Sequence, residues 1–96
     1  MSRTIFRSVI VVDDGWQTLS LTGPILHIGT RQEDAIEIWH IHDDEAATAE
    51  RAFIVVGTGR RLAPALASYV GTAITPSGRY VWHLFEHERL TAGSDG

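Results

Sequence analysis

The 96-residue chain contains no cysteine, no lysine and no asparagine, and each absence removes a class of explanation. Without cysteine there is no disulfide framework, no thiolate nucleophile and no thiolate metal site. Without lysine the eight basic residues are all arginine, whose planar guanidinium forks to carboxylates and stacks on aromatic faces where an ammonium cannot. Twelve Asp plus Glu set against eight Arg leave 8 − 12 = −4 at neutral pH. A protein that neutralises a phosphate backbone needs a basic surplus or stripe. Only Arg60-Arg61 stand together, so nucleic-acid binding is not expected. No apolar run approaches the roughly 20 residues of a membrane span. Met1 to Val12 lacks the basic start, long apolar centre and small-residue cleavage site of a signal peptide, which leaves a cytoplasmic protein as the expectation. Missing Lys and Asn beside plentiful Arg, Gly, Ala and Thr also fits a GC-rich genome.

What is present is enough apolar material, 44% of the residues, for one small domain with a packed core. Short β-branched and aromatic runs recur between Gly, Pro, Asp and Ser clusters, which predicts a mainly β fold. We expect a small antiparallel β-sandwich or barrel-like domain of about seven strands over residues 1–89, with one or two short helical turns at most and a loose tail over residues 90–96. The strands are expected over Thr4–Val12, Trp16–Leu21, Ile25–Thr30, Ala35–His42, Arg51–Val56, Ser68–Ile74 and Arg79–His87. Asp13-Asp14-Gly15 predicts a tight hairpin between the first two, because Asp and Gly tolerate positive φ. The third and fourth strands should pair as a hairpin, and so should the last two, across Thr75-Pro76-Ser77-Gly78. The helical turns are expected within Asp43–Glu50 and Arg60–Ala67.

Period-2 alternation puts Trp39 and Ile41 on one face of the fourth strand and Ile36, Ile38, His40 and His42 on the other. In the last strand Tyr80, Trp82 and Leu84 oppose Val81, His83 and Phe85. Both faces of both strands are apolar, so each needs cover from a second sheet, a loop or helix, or another chain. An apolar-Gly-Thr step recurs at Ile28-Gly29-Thr30, Val56-Gly57-Thr58 and Val70-Gly71-Thr72. Its plainest meaning is crowding or a bulge at three strand ends, and its sharper meaning is a ligand against bare backbone.

Chemistry is sparse. His40-Ile41-His42 places two imidazoles on one strand face, as a metal site would, with Asp43, Asp44 and Glu45 close behind. The spacing does not match the His-x-His plus Glu pattern of double-stranded β-helix metalloenzymes, and histidines at a strand end and rim are the simpler reading. Gly57-Thr58-Gly59-Arg60-Arg61 begins like a dinucleotide fingerprint without its third Gly or its βαβ setting. It could instead hold an anion between backbone N–H groups and two guanidiniums. A phosphate loop and a Gly-x-Ser-x-Gly nucleophile elbow are both missing.

The ordered series Ile25-Leu26-His27-Ile28-Gly29, Ile38-Trp39, Arg51-Ala52-Phe53-Ile54-Val55-Val56-Gly57-Thr58-Gly59, Tyr69-Val70-Gly71-Thr72 and Val81-Trp82-His83-Leu84-Phe85-Glu86 resembles the domain of unknown function DUF7352. That family comprises small proteins of actinobacterial phages and their hosts. The resemblance spans about Thr4 to Glu86 and implies a compact β domain, phage or prophage encoded, with no established catalytic activity. His40-Ile41-His42 departs from the family, whose strand continues after the tryptophan with small or apolar residues. His83 and Glu86 match its Val-Trp-His-x-Phe-Glu block. A polar site of the family would be sought at those two, with Trp82 and the turn Gly57, Thr58 and Gly59.

The expectation is a noncatalytic, phage-type accessory protein that binds a protein, either a host factor or a component of its own phage. No cofactor is called for. The partner surface would use Trp39, Tyr80, Trp82, Arg60 and Arg61, the residue types such surfaces favour. A homodimer is compatible with this. The alternatives are a small metal- or ligand-binding β-barrel using His40 and His42, and a homo-oligomeric piece of a virion.

Overall fold

A computed structural model describes residues 2–13, 15–62 and 67–87. Seven strands form two antiparallel sheets: β1 (Arg3–Val11), β2 (Gln17–Leu21), β3 (Ile25–Gly29), β4 (Ala35–Asp43), β5 (Ala49–Gly57), β6 (Ala67–Ile74) and β7 (Val81–His87). The first sheet has the order β1-β4-β3 and the second β2-β5-β7-β6. The domain is an antiparallel β-sandwich, as its composition predicts.

The inner faces follow from alternation. Ile36 and Ile38 of β4, with Ile10 of β1 and Ile28 of β3, meet Leu21, Phe53, Val55, Ala73 and Leu84 of the second sheet in one apolar core. Phe53, Ile10, Ile36, Ile38 and Leu84 are its largest fully enclosed side chains. Burying a side chain of this kind contributes about 1.5–3 kcal/mol, so these five dominate the apolar stabilisation. The sheets close on one another where β6 crowds β3: a Cβ on Gly71 would lie 2.9 Å from Ile28 Cδ1. Gly71 borders a register shift after Tyr69. Gly57 is crowded by Trp82 at 3.1 Å, so the repeated Gly-Thr step marks crowding at two of its three occurrences.

Two hairpins form as expected: β3 pairs with β4 and β6 with β7. Gly78 takes φ +75 in the latter turn, and its N–H donates to Thr75 O at 2.8 Å. The hairpin expected between β1 and β2 does not form. β1 pairs with β4 over its whole length, from Arg3↔Asp43 to Val11↔Ala35. β2 pairs with β5, so the segment after Val12 crosses between sheets instead of folding back within one. Turn chemistry at Asp-Gly permits a reversal but does not decide which sheet receives the returning strand.

β5 begins at Ala49, two residues earlier than expected. Asp43–Ala46 is a plain turn, with Ala46 N–H donating to Asp43 O at 3.2 Å and Glu45 N–H to Asp43 Oδ1 at 3.0 Å. β7 begins at Val81 because Tyr80 O accepts from Thr75 N–H at 3.0 Å and belongs to the turn. The helical turn sought in Arg60–Ala67 and the tail over residues 90–96 fall wholly or partly outside the described residues.

Polar clamps lock the loops to the sheets. Glu33 accepts from Ser77 Oγ at 2.8 Å and Ser77 N–H at 3.1 Å, joining the β3–β4 loop to the β6–β7 turn. Those hydrogen bonds hold its carboxyl below the usual carboxylate range. Arg51 forks onto Glu86 at 2.6 and 2.8 Å and reaches Gly23 O at 3.0 Å, tying β5 and β7 to the β2–β3 loop.

Candidate functional site

β2 is shorter than the strand it flanks, and a cleft results. The β2–β5 ladder ends at Gln17↔Phe53, whereas β5 continues to Gly57 beside β7. A cleft of about 530 Å³ opens along Ile54–Gly57, with Val12, Asp13 and Trp16 on one side and Arg60, Arg61 and Trp82 on the other. Thr58 N–H donates to Val81 O at 3.2 Å. The alternation of an antiparallel ladder then turns the backbone groups of Val55 and the N–H of Gly57 toward the cleft. Gly57 O accepts from Arg60 N–H at 3.0 Å and closes the turn. The N–H groups of Thr58 and Arg60 are therefore engaged inside the turn and do not cradle an anion.

Trp82 forms the fixed wall of this cleft. It packs against the core, its Nε1–H donates to Glu33 O at 3.0 Å, and Tyr80 stacks on it at 5.3 Å with planes 14° apart. Arg60 and Arg61 are exposed at the rim. The arrangement offers an apolar slot, two positive charges and a length of strand edge.

On the other side of the same turn lies a chain of hydroxyls. Thr58 Oγ1 is 2.7 Å from His83 Nε2, Thr72 Oγ1 is 3.0 Å from His83 Nδ1, and Tyr69 OH is 2.6 Å from Thr72 Oγ1. Each hydroxyl both donates and accepts, so the neutral imidazole is satisfied in either tautomer. The register Thr72↔His83 and Tyr69↔Phe85 places these residues on the outer face of the second sheet. Among the described residues this chain ends on hydroxyls and no carboxylate meets the imidazole.

The residues expected to work together are divided by the fold. Glu86 lies opposite Phe53 on the inner face, away from His83, and is held by Arg51. Trp39 lies on the outer face of the first sheet beside His27, 5.5 Å away, remote in topology from Trp82. His40 and His42 share a face, but their ring nitrogens are engaged separately. His40 Nε2 meets Ser8 Oγ at 2.9 Å, and His42 Nδ1 meets Thr22 Oγ1 at 3.4 Å while its ring stacks on Phe6 at 4.5 Å. Among the described residues no third His, Asp or Glu joins them as a metal-holding group. His40 is buried, its Nδ1 finds no partner among the described residues, and burial first, then the nearby His42 and Arg51 charges, push its pKa down.

A family model described as a domain of unknown function, DUF7352, matches residues 1–93. The chain belongs to the DUF7352 family. No curated protein and no solved structure matches it. Within this DUF7352 domain, two of the sequence blocks that carried the resemblance, Gly57-Thr58-Gly59 and Tyr69-Val70-Gly71-Thr72, converge on His83 of a third. Trp16 and the β5 edge were not anticipated as parts of the site. Trp16 follows a turn signal and gave no pattern of its own, and the open edge depends on the length of β2 relative to β5.

Proposed function

We propose that this DUF7352 domain is a noncatalytic protein-binding module that takes an extended segment of its partner into the cleft between Trp16 and Trp82. The incoming segment adds a strand beside Ile54–Gly57, in line with β2, and hydrogen-bonds to Val55 and Gly57. An apolar side chain packs against Trp82 along the strand edge, and an acidic one meets Arg60 and Arg61. The observation that carries this reading is the early end of β2, which, among the described residues, leaves β5 with a strand neighbour on one side only along that stretch. The family resemblance adds the context of a phage or prophage accessory protein acting inside its host cell, on a host factor or on a component of its own phage.

The test is affinity capture from host cells, with and without infection, using the native chain and an Arg60→Glu/Arg61→Glu variant. Both positions are exposed, so the variant should stay folded. A partner retained by the native chain and lost by the folded variant supports the cleft. Equal capture by both would reject it.

A further inference from the structure

We propose that β1 is a self-pairing edge through which two copies of this chain form a continuous six-stranded sheet, with the two-fold axis beside Phe6. The proposal is independent of the cleft and uses a different strand. β1 lies at the end of its sheet, and among the described residues only β4 pairs with it. It spans nine residues and is unusually apolar for an exposed edge: Ile5 is 61% exposed, Val11 55%, Val9 48% and Phe6 45%. Monomeric proteins protect such edges with central charges, prolines or bulges, because an open edge is a template for another strand. β1 has no proline, and its ladder with β4 runs without a register shift. Its central charge, Arg7, is held sideways by Glu37 at 2.8 Å.

Hydrogen-bond parity limits the register, and the match of charges and side chains across a two-fold axis favours a second copy as the occupant. Val12 N–H donates to Asp34 O at 2.9 Å and Asp44 N–H to Ser2 O at 3.2 Å. Even-numbered residues therefore bond to β4, and Arg3, Ile5, Arg7, Val9 and Val11 turn their backbone groups outward. The outward carbonyl of Val11 is already taken by Gln17 Nε2 at 2.5 Å, which ends the available edge at Val9. What remains, Arg3 to Val9, is centred on Phe6. A second copy related by a two-fold axis at that residue sets Arg3 against the other copy's Val9 and Ile5 against its Arg7, with Phe6 facing Phe6. Every outward group from Arg3 to Val9 is then paired and no like charges are opposed. An axis at Arg7 would instead put two guanidiniums side by side, and an axis at Ser8 would need the Val11 carbonyl. Phe6 points to the inner side yet is half exposed, so the second sheet stops short of it and leaves room for its counterpart. The two phenyl rings, each stacked on its own His42, then close over one another.

The absence of cysteine makes the register directly testable. Residues facing each other in a non-hydrogen-bonded pair have Cα atoms about 4.5 Å apart, within disulfide reach. Under mild oxidation of the full chain, Phe6→Cys should give a covalent dimer, and Thr4→Cys and Ser8→Cys should not. Light scattering of the unmodified chain at about 100 μM should report a dimer of the 10.6 kDa chain. Ile5→Lys/Val9→Lys, at two exposed outer positions, should weaken association at least about tenfold while leaving the melting temperature of dilute, monomeric protein unchanged. A monomer at that concentration overturns the proposal, as does a dimer indifferent to the lysines. Cross-linking at Ser8→Cys in place of Phe6→Cys overturns the register.

Discussion

At the scale of single residues, the tightest positions are set by backbone approach. A Cβ on Gly23 would press onto the carbonyl oxygen of Ile41, a backbone atom that cannot swing aside, and Pro24 O next to it accepts from Ile41 N–H at 3.0 Å. Gly23→Ala should cost about 2 kcal/mol or more in urea unfolding, whereas Gly15→Ala, with open space around it, should be close to neutral. His40 gives the domain a pH dependence of definite sign. Its pKa in the fold lies below the ordinary 6.5. As pH falls through that value the unfolded chain takes up a proton that the folded chain refuses, so stability declines. Urea midpoints should drop between about pH 7 and pH 5, and His40→Leu should flatten that drop even if it lowers stability overall. A native chain with equal midpoints at both pH values would contradict the burial argument. Glu33 acts lower on the scale: its depressed pKa adds stability at neutral pH that is lost as acid protonates it.

At the scale of elements, two ion pairs, one on the inner face of the second sheet and one on the outer face of the first, should behave differently. Arg51 and Glu86 are both mostly enclosed, and Arg51 also holds Gly23 O. Arg51→Ala strands a partly buried carboxylate and a carbonyl, for a loss of about 2–3 kcal/mol. Arg31 is largely exposed, and Glu37 keeps Arg7 when it is removed, so Arg31→Ala should cost less than about 1 kcal/mol. Paired chemical denaturation curves would check the order, and equal losses would contradict it. The hairpins β3–β4 and β6–β7 were legible because local turn chemistry and two-residue alternation specify them together. The facing of β4 and β7 was legible for the same reason. The crossing from β1 to β2 was not, since β1 is apolar on both faces and Asp-Gly would have served either route. The separation of Glu86 from His83 was implicit in their odd spacing of three along one strand, which sends them to opposite faces; shared membership of one motif block obscured it.

At the scale of the whole molecule, the sandwich places its two unusual edges in different strands: the free length of β1 in the first sheet and the open stretch of β5 in the second. The strand list could be read from alternation and composition, whereas the choice of core face could not, because β4 and β7 carry apolar residues on both faces. The cleft could not, because it arises from the unequal lengths of two strands that meet only in three dimensions. Trp82, Arg60 and Arg61 were expected in a partner surface and Gly57 in a polar site, and the fold gathers all four along one cleft with Tyr80 stacked behind. Trp39 stands apart on the other sheet. Trp82 also carries core packing, so Trp82→Ala should lower stability by about 3 kcal/mol along with any binding. The exposed arginines therefore separate the two effects better. The most direct test of the central claim is amide hydrogen exchange of the native chain with and without its captured partner. Strand addition in the cleft predicts new protection at Val55 and Gly57; protection confined to the outer face around Trp39, with those two amides unchanged, would contradict it.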